Sequence, residues 1–433
     1  MKLSKIVIAT IAVCGATQVM AAGVTRLTGS SASSINVVRG LANACTTAGG
    51  TITVYKTNTS TSALGNQFSV KCSTAVAGGT PVNFDATSVD EARMNVAGGS
   101  ESAVTNAALF PTSTNTNFLV PTGACTAVAA GTEALSFLAA GQMRSCGTTL
   151  ADTILKSDGG YLDVEGPVFN ATKYDGGDFQ PTGFNQVFGI AVNSTLYNAL
   201  QTYQKTVAGG NIVAAACAAG ATTPECQPSI SRAQITSLIN NDLFNAGKTS
   251  GGAYLVPGSA VSKITYCQRP QTSGTQQSSQ LYFLGYALNG NLGGNEVVVP
   301  NNTSLAKYSS ILNNGSSDVK TCLNSATDFR FGGLSLENNP IGGTDTYRFV
   351  KLNEVAATEG VAGASQTTTA IAGRYDFVYE LSAYCPGGTC ADIIATINSA
   401  VTVGSSSPGI FLGNGVESKF GRNGNSAAPM ASR

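Results

Sequence analysis

The stretch Arg269–Gly285, R-P-Q-T-S-G-T-Q-Q-S-S-Q-L-Y-F-L-G, decides how the rest of the chain is read. Thr272-Ser273-Gly274-Thr275 makes a turn of small residues, and a helix follows with Leu281, Tyr282 and Leu284 as its inward residues. The first N–H groups of a helix lack intrahelical partners and carry a partial positive charge. Hydroxyls at such a turn add donors, and glycine lets a ligand approach the backbone, a combination suited to an oxyanion. Arg269, ahead of the turn, adds a guanidinium able to grip an oxyanion with two parallel hydrogen bonds. The same residues also fit a capped helix with an ordinary surface arginine, and the motif alone does not choose between the two.

A second unit of the same kind lies near the N-terminus. Val24–Thr28 reads as a strand and Gly29-Ser30-Ser31-Ala32-Ser33 as a turn. Ile35, Val38, Leu41, Ala42 and Cys45 then recur at helical spacing, with Ser33 or Ser34 as the N-cap and Arg39 on the helix surface. Thr51–Tyr55 alternates as a strand, and strands and helices taking turns favour an α/β lobe. Gly98–Val104 is another small-residue turn that opens onto a helix. Residues 105–158 read as a polar insertion closed by a disulfide.

Tyr161–Phe169, Y-L-D-V-E-G-P-V-F, reads as a strand ending at Gly166-Pro167. On a strand, Asp163 and Glu165 share one face, either as an acid pair or as two solvated carboxylates. Val187–Val192 is an apolar run expected as a buried parallel strand. Leu196–Tyr203 is expected as a helix, Gly209–Cys226 as a loop of small residues, and Ser231 as the cap of an amphipathic helix with Ile235, Leu238 and Ile239 inward. Ile264–Cys267 is the short strand that delivers the chain to Arg269. Beyond it, Leu292–Gly315 reads as irregular, Arg374–Tyr384 as an alternating strand, Asp392–Ala400 as a helix, and the chain from Gly404 as a mobile tail.

Composition narrows the function. The chain has 433 residues, of which 11% are charged, with 24 basic and 24 acidic side chains. That balance gives no basic surplus for nucleic acid. Lys2 and Lys5, the apolar run Ile6–Val13 and the small-residue site Val19-Met20-Ala21 form a secretory signal, too short for an anchoring helix, and no later stretch is apolar enough to span a membrane. A periplasmic or secreted location follows. Of 11 cysteines, Cys14 leaves with the signal, and an even 10 remain. In an exported protein these read as disulfides. Connectivity is not deducible from sequence; pairing of chain neighbours gives Cys45–Cys72, Cys125–Cys146, Cys217–Cys226, Cys267–Cys322 and Cys385–Cys390. A zinc site is the alternative, disfavoured by the lack of His and of any C-x-x-C pair. No metal site or cofactor is implied.

In this order, the landmarks resemble the periplasmic phosphate-binding proteins of ABC transporters. Gly29-Ser30-Ser31-Ala32-Ser33-Ser34 is similar to that family's first phosphate loop, Val164-Glu165-Gly166-Pro167 to its S-D-A-P segment, and Phe188–Asn193 to its first crossover strand. Ile230–Ile235 resembles its L-S-x-x-x-I helix, Arg269–Thr275 its R-x-x-x-S-G-T loop, and Tyr375–Tyr384 its return strand. The resemblance implies an α/β, two-lobed type II periplasmic-binding-protein fold with disulfide-clipped insertions. The lobes would be 22–193 and 194–372 after a signal at 1–21, with 373–433 returning to the first. It implies ligand contacts at Ser33, Ser34, Ser100, Arg269, Ser273, Gly274 and Thr275. Glu165 stands where the family has an Asp that accepts a proton from phosphate, and Ser34 replaces a Phe.

The leading expectation is a solute-binding protein capturing phosphate or a similar oxyanion in an interlobe cleft, with an ABC transporter permease as partner. A secreted structural or interaction protein that keeps the fold without the ligand is the second. An enzyme is the third, and it is disfavoured. Without His no Ser-His-Asp triad exists, and Ser304/Lys307 and Ser317/Lys320 form S-x-x-K pairs without their companion motifs.

Overall fold

The computed structural model describes residues 23–121, 124–147, 153–169, 174, 177–206, 212–240, 250–285, 304–325, 327–358, 368–401, 409–412, 418–422, 426 and 429–432. The signal sequence with Cys14 lies outside them, as do residues 292–303 of the stretch read as irregular; the rest of that stretch is not irregular throughout, since Tyr308–Leu312 forms a strand.

The first lobe begins with β1 (Gly23–Gly29), α1 (Ser34–Thr47), β2 (Thr51–Lys56), β3 (Gln67–Ser73), β4 (Val89–Asn95) and the single turn α2 (Ser102–Thr105). β5 (Met143–Ser145) and β6 (Gly159–Leu162) follow. β7 (Phe179–Val192) then runs into the second lobe, which holds α3 (Ser194–Thr206), α4 (Arg232–Asn240), β8 (Ile264–Gln268) and α5 (Gly274–Leu284). β9 (Tyr308–Leu312), α6 (Ser316–Leu323) and β10 (Phe329–Ser335) complete that lobe. β11 (Val378–Tyr384) returns to the first lobe, where α7 (Ala391–Ala400) and β12 (Ile410–Leu412) lie.

One sheet connects them in the order β9-β8-β10-β7-β11-β6-β1-β4-β3-β2-β5. Each lobe repeats one plan. Its first strand, β1 or β8, sits between two parallel neighbours, β4 and β6 or β9 and β10. The next strand outward is antiparallel and comes across from the other lobe: β11 beside β6, and β7 beside β10. β7 joins the halves, since Phe179–Val187 pairs with β11 and Phe188–Val192 with β10. This is the two-lobed α/β fold with two crossover strands.

The apolar run Val187–Val192 is buried as expected, but it pairs antiparallel on both sides. An apolar run encodes burial on both faces, and it does not encode the direction of its neighbours. The 105–158 segment is more than a clipped loop. β5 extends the sheet beside β2, and Leu135, Leu138 and Met143 enter the first-lobe core around Leu41, Val54 and Phe68. The tail is also built in where it is described. β12 pairs with β7, and buried Arg422 donates to the carbonyls of Val378 and Asp376.

All five neighbour-paired disulfides are present. Cys267–Cys322 ties β8 to α6 and so fixes the strand leading to Arg269 against the helix that starts at Ser316. The larger core passes without a break from Ala32, Ala103 and Leu162 of the first lobe to Tyr266, Phe331 and Leu334 of the second. The lobes are therefore packed on each other.

Candidate functional site

The turn before α1, the turn before α2, the end of β6 and the turn before α5 meet at one buried carboxylate, Asp163. β6 stops at Leu162, so Asp163 lies past the strand end, where the chain bends toward the second lobe. The Ser30 hydroxyl accepts from the amides of Ala32 and Ser33, at 3.0 and 3.1 Å, and donates to Asp163. The Ser100 hydroxyl does the same from the other side. It accepts from the amides of Asp163 and Gly274, at 3.3 and 3.2 Å, and donates to Asp163 Oδ2 at 3.2 Å. Each hydroxyl uses its one proton and both lone pairs.

Gly274 is required by this approach. A Cβ there would stand 2.3 Å from Ser100 Oγ and 2.5 Å from Asp163 Cβ. The amide of Glu101 also donates to the Thr272 carbonyl at 3.0 Å, so main chain meets main chain across the cleft.

Arg269 is buried at the mouth of the same cluster. Nη1 donates to Ser31 Oγ at 3.0 Å and to Ser316 Oγ at 3.4 Å, and Nη2 to the Asn314 carbonyl at 2.9 Å. Its Nε has no hydrogen-bond partner among the described residues. Burial lowers its pKa to about 10, against the pull of Asp163 and Asp318, so it stays charged at neutral pH. Burial has the opposite effect on Asp163, raised to about 6 although Ser30, Arg269 and Ser100 all favour the ionised form. A cavity of about 20 Å³ adjoins, lined by Ser31, Ser34, Asn66, Ser316 and Glu337, with room for about one water.

Of the residues expected here, Ser100, Arg269 and Gly274 belong to this network directly. Ser33 and Thr275 stand at the starts of α1 and α5, buried, with hydroxyls that make no hydrogen bond of ordinary geometry among the described residues. The Thr275 hydroxyl also favours the ionised form of Asp163. Ser273 is the buried residue ahead of α5 and makes no side-chain cap. Ser34 turns its hydroxyl back to the Ser31 carbonyl at 2.9 Å and lines the small cavity.

Two placements differ from expectation. Glu165 is away from the cluster, where it accepts from the amide and hydroxyl of Ser426. Because the strand ends at Leu162, residues 163 and 165 do not share a face, and Asp163 takes the inner position. Arg39 is not on the helix surface. It is buried, donates to the Ala134 carbonyl at 2.9 Å and lies over the Phe137 ring. Segment 105–158 covers the face of α1 that would otherwise meet water. Ser30, Ser31 and Ser316 were not singled out from sequence. Ser30 and Ser31 lay inside the quoted turn, and Ser316 carried the local signal Gly315-x-x-Asp318, whose Asp caps the Gly315 amide at 2.9 Å.

No family model and no curated relative matches the chain. Among solved structures, the chain is similar to a putative phosphate ABC transporter substrate-binding protein with bound phosphate from Clostridium perfringens, at 11% identity and a TM-score of 0.42, over 88% of this chain and 93% of that one. It is also similar to a possible phosphate binding protein from Planctomyces limnophilus DSM 3776, at 10% identity and a TM-score of 0.29, over 85% of this chain and 83% of that one. At these identities and scores neither structure assigns a role to a residue of this chain.

Proposed function

We propose that this is an exported solute-binding protein that captures phosphate or a similar oxyanion between its lobes, at the network around Asp163 and Arg269. The observation that carries the reading is the set of buried polar groups on that network without a hydrogen bond of ordinary geometry among the described residues: Arg269 Nε and the hydroxyls of Ser33 and Thr275. Buried donors are nearly always paired, and each exception calls for an explanation. Two of these groups stand at helix starts, where backbone dipoles favour an anion.

In this reading the lobes part, the anion takes the hydroxyls and the Arg269 guanidinium, and the lobes close again. Arg269 offsets the ligand's charge. Asp163, rather than Glu165, accepts the proton that hydrogen phosphate carries, so an anion without a proton, such as sulfate, meets an uncompensated carboxylate. A transporter permease would receive the ligand. Five disulfides suit an exported chain, and no described helix is long and apolar enough to cross a membrane. The reading is of a binder rather than an enzyme. Lys320, spaced from Ser317 as S-x-x-K, is engaged by Glu133 and Asp345 and is not free to act as a base.

One observation favours a second reading, an interaction protein that keeps the fold. The adjoining cavity is only about 20 Å³, and Asp163 already engages the hydroxyls of Ser30 and Ser100. Calorimetry and thermal shift on the purified mature chain separate the two. Saturable phosphate binding with a raised melting temperature supports the first. No heat and no shift with phosphate, arsenate or sulfate overturns it and leaves the second.

A further inference from the structure

We propose that Glu133 and Lys320 form a latch across the cleft that holds the two lobes closed, independently of any anion. Glu133 belongs to the short turn Glu133–Leu135 in the first lobe. The base of that turn is fixed. The Thr132 amide donates to the Thr61 carbonyl at 2.9 Å, and Arg39 of α1 grips the Ala134 carbonyl while lying 4.4 Å from the centre of the Phe137 ring.

From this base the Glu133 carboxylate reaches Lys320 Nζ on α6 of the second lobe at 3.3 Å, and Lys320 also pairs with Asp345 at 2.8 Å. The side chains of Glu133 and Lys320 are only 2% and 7% exposed, so this is not a screened surface pair. The second lobe leaves a seat for the carboxylate. A Cβ at Gly343 would fall 1.6 Å from Glu133 Oε1, and glycine alone leaves that room.

The backbone supplies a separate sign. Glu133 has φ +52°, in the left-handed region that residues other than glycine rarely adopt. Strain of this kind persists only where the surroundings impose it, and it gathers at clamps and switches. Beside the latch, Asn36 Nδ2 of α1 donates to Glu337 of the second lobe at 3.2 Å, a second bond across the same seam. Removing one partner of a buried ion pair leaves the other charge buried and uncompensated. Losing Lys320 leaves Glu133 buried without its counter-charge, and losing Glu133 leaves Lys320 bound only to Asp345 of its own lobe, so either loss shifts the balance toward parted lobes.

The Glu101 amide reads the state of the cleft directly, because it donates to Thr272 across it. Hydrogen exchange is measured on the oxidised full mature chain in anion-free buffer, wild type against Glu133→Gln and Lys320→Met. Exchange at Glu101 should quicken roughly tenfold or more in both variants, while amides inside β1 and β8 keep their wild-type rates. Gly343→Ala, which displaces the Glu133 carboxylate without removing a charge, should do the same and serves if Lys320→Met does not fold. Wild-type exchange at Glu101 in folded variants overturns the latch. So does a quickening spread equally over the core amides, which reports lost stability rather than an opened cleft. Because no anion is present, the result is independent of whether phosphate binds.

Discussion

Asp163 and Arg269 respond to the same burial in opposite directions, and the difference has a measurable consequence. The Asp163 pKa is raised from 3.8 to about 6 by burial. A raised folded-state pKa means that the folded state holds the proton more tightly than the unfolded chain does. The associated stability is fully present below pH 3.8 and is lost as the pH rises through about 6. A shift of this size corresponds to about 3 kcal/mol. Asp163→Asn should remove that loss. Its melting temperature should fall less between pH 4 and pH 7.5 than that of wild type, whatever constant offset the changed hydrogen bonding of Ser30 and Ser100 adds. Parallel pH profiles for the two proteins would show that Asp163 is ionised without penalty. Arg269 is tested through the ligand. Removing one partner of a buried charge pair costs about 2–5 kcal/mol in binding, so Arg269→Ala should weaken phosphate affinity roughly thirtyfold or more. Arg269→Lys should recover only part, since Lys lacks the fork that spans Ser31, Ser316 and the Asn314 carbonyl. Exposed Lys419 is the control, and Lys419→Ala should titrate as wild type. Arg39 cannot serve, because its guanidinium is packed under segment 105–158.

At the scale of the elements, the sequence was legible where side chains repeat with a period or cap an end. Ile235, Leu238 and Ile239 mark α4, and Ser231 with Gln234 forms a reciprocal cap, the hydroxyl accepting the Gln234 amide and the Gln234 side chain accepting the Ser231 amide. Pairing of neighbouring cysteines matches all five disulfides, although the sequence did not decide the connectivity. α5 shows the opposite case. Residues Gly274–Phe283 are all buried, yet Gln276, Gln277, Ser278, Ser279 and Gln280 carry no apolar stripe. Its start is buried against Ser100 and Asp163 of the first lobe and its body against α4 and β10 of its own lobe, which no local pattern announces. The exchange of Glu165 for Asp163 has a similar cause: the strand stops at Leu162, short of the end expected at Gly166-Pro167, and this changes which acid faces inward. Cys267–Cys322 lends itself to a test at this scale, since it closes 55 residues and fixes Arg269 relative to Ser316. Replacing both cysteines by Ser should cost about 4 kcal/mol in the chain-entropy account. A denaturant midpoint equal to that of wild type would mean that the α6 and β8 packing holds the pair without help.

For the whole molecule, the question is how a closed cleft admits an anion. The cavity beside Arg269 has room for about one water, and the Glu101–Thr272 contact shuts the main chains together. On the proposed reading, a phosphate ion would reach Arg269 only from an opened form. When the binding-competent state is a small fraction of the molecules, the apparent affinity is reduced by that fraction. The observed association rate then cannot exceed the rate of opening, however much ligand is added. In stopped flow, the rate constant for phosphate association should therefore rise with concentration and level off. The latch predicts where that plateau moves. Glu133→Gln weakens the bond between the lobes, so its plateau should be higher than that of wild type. Dissociation, which also requires opening, should quicken with it. Arg269→Ala acts on the ligand rather than on the hinge, so it should speed dissociation much more than it moves the plateau. The two variants thus separate gating from affinity. A rate that climbs linearly into the millimolar range in wild type would show that the lobes stand open in solution and that closure follows binding. A plateau identical in wild type and Glu133→Gln would place the gate somewhere other than the Glu133–Lys320 pair.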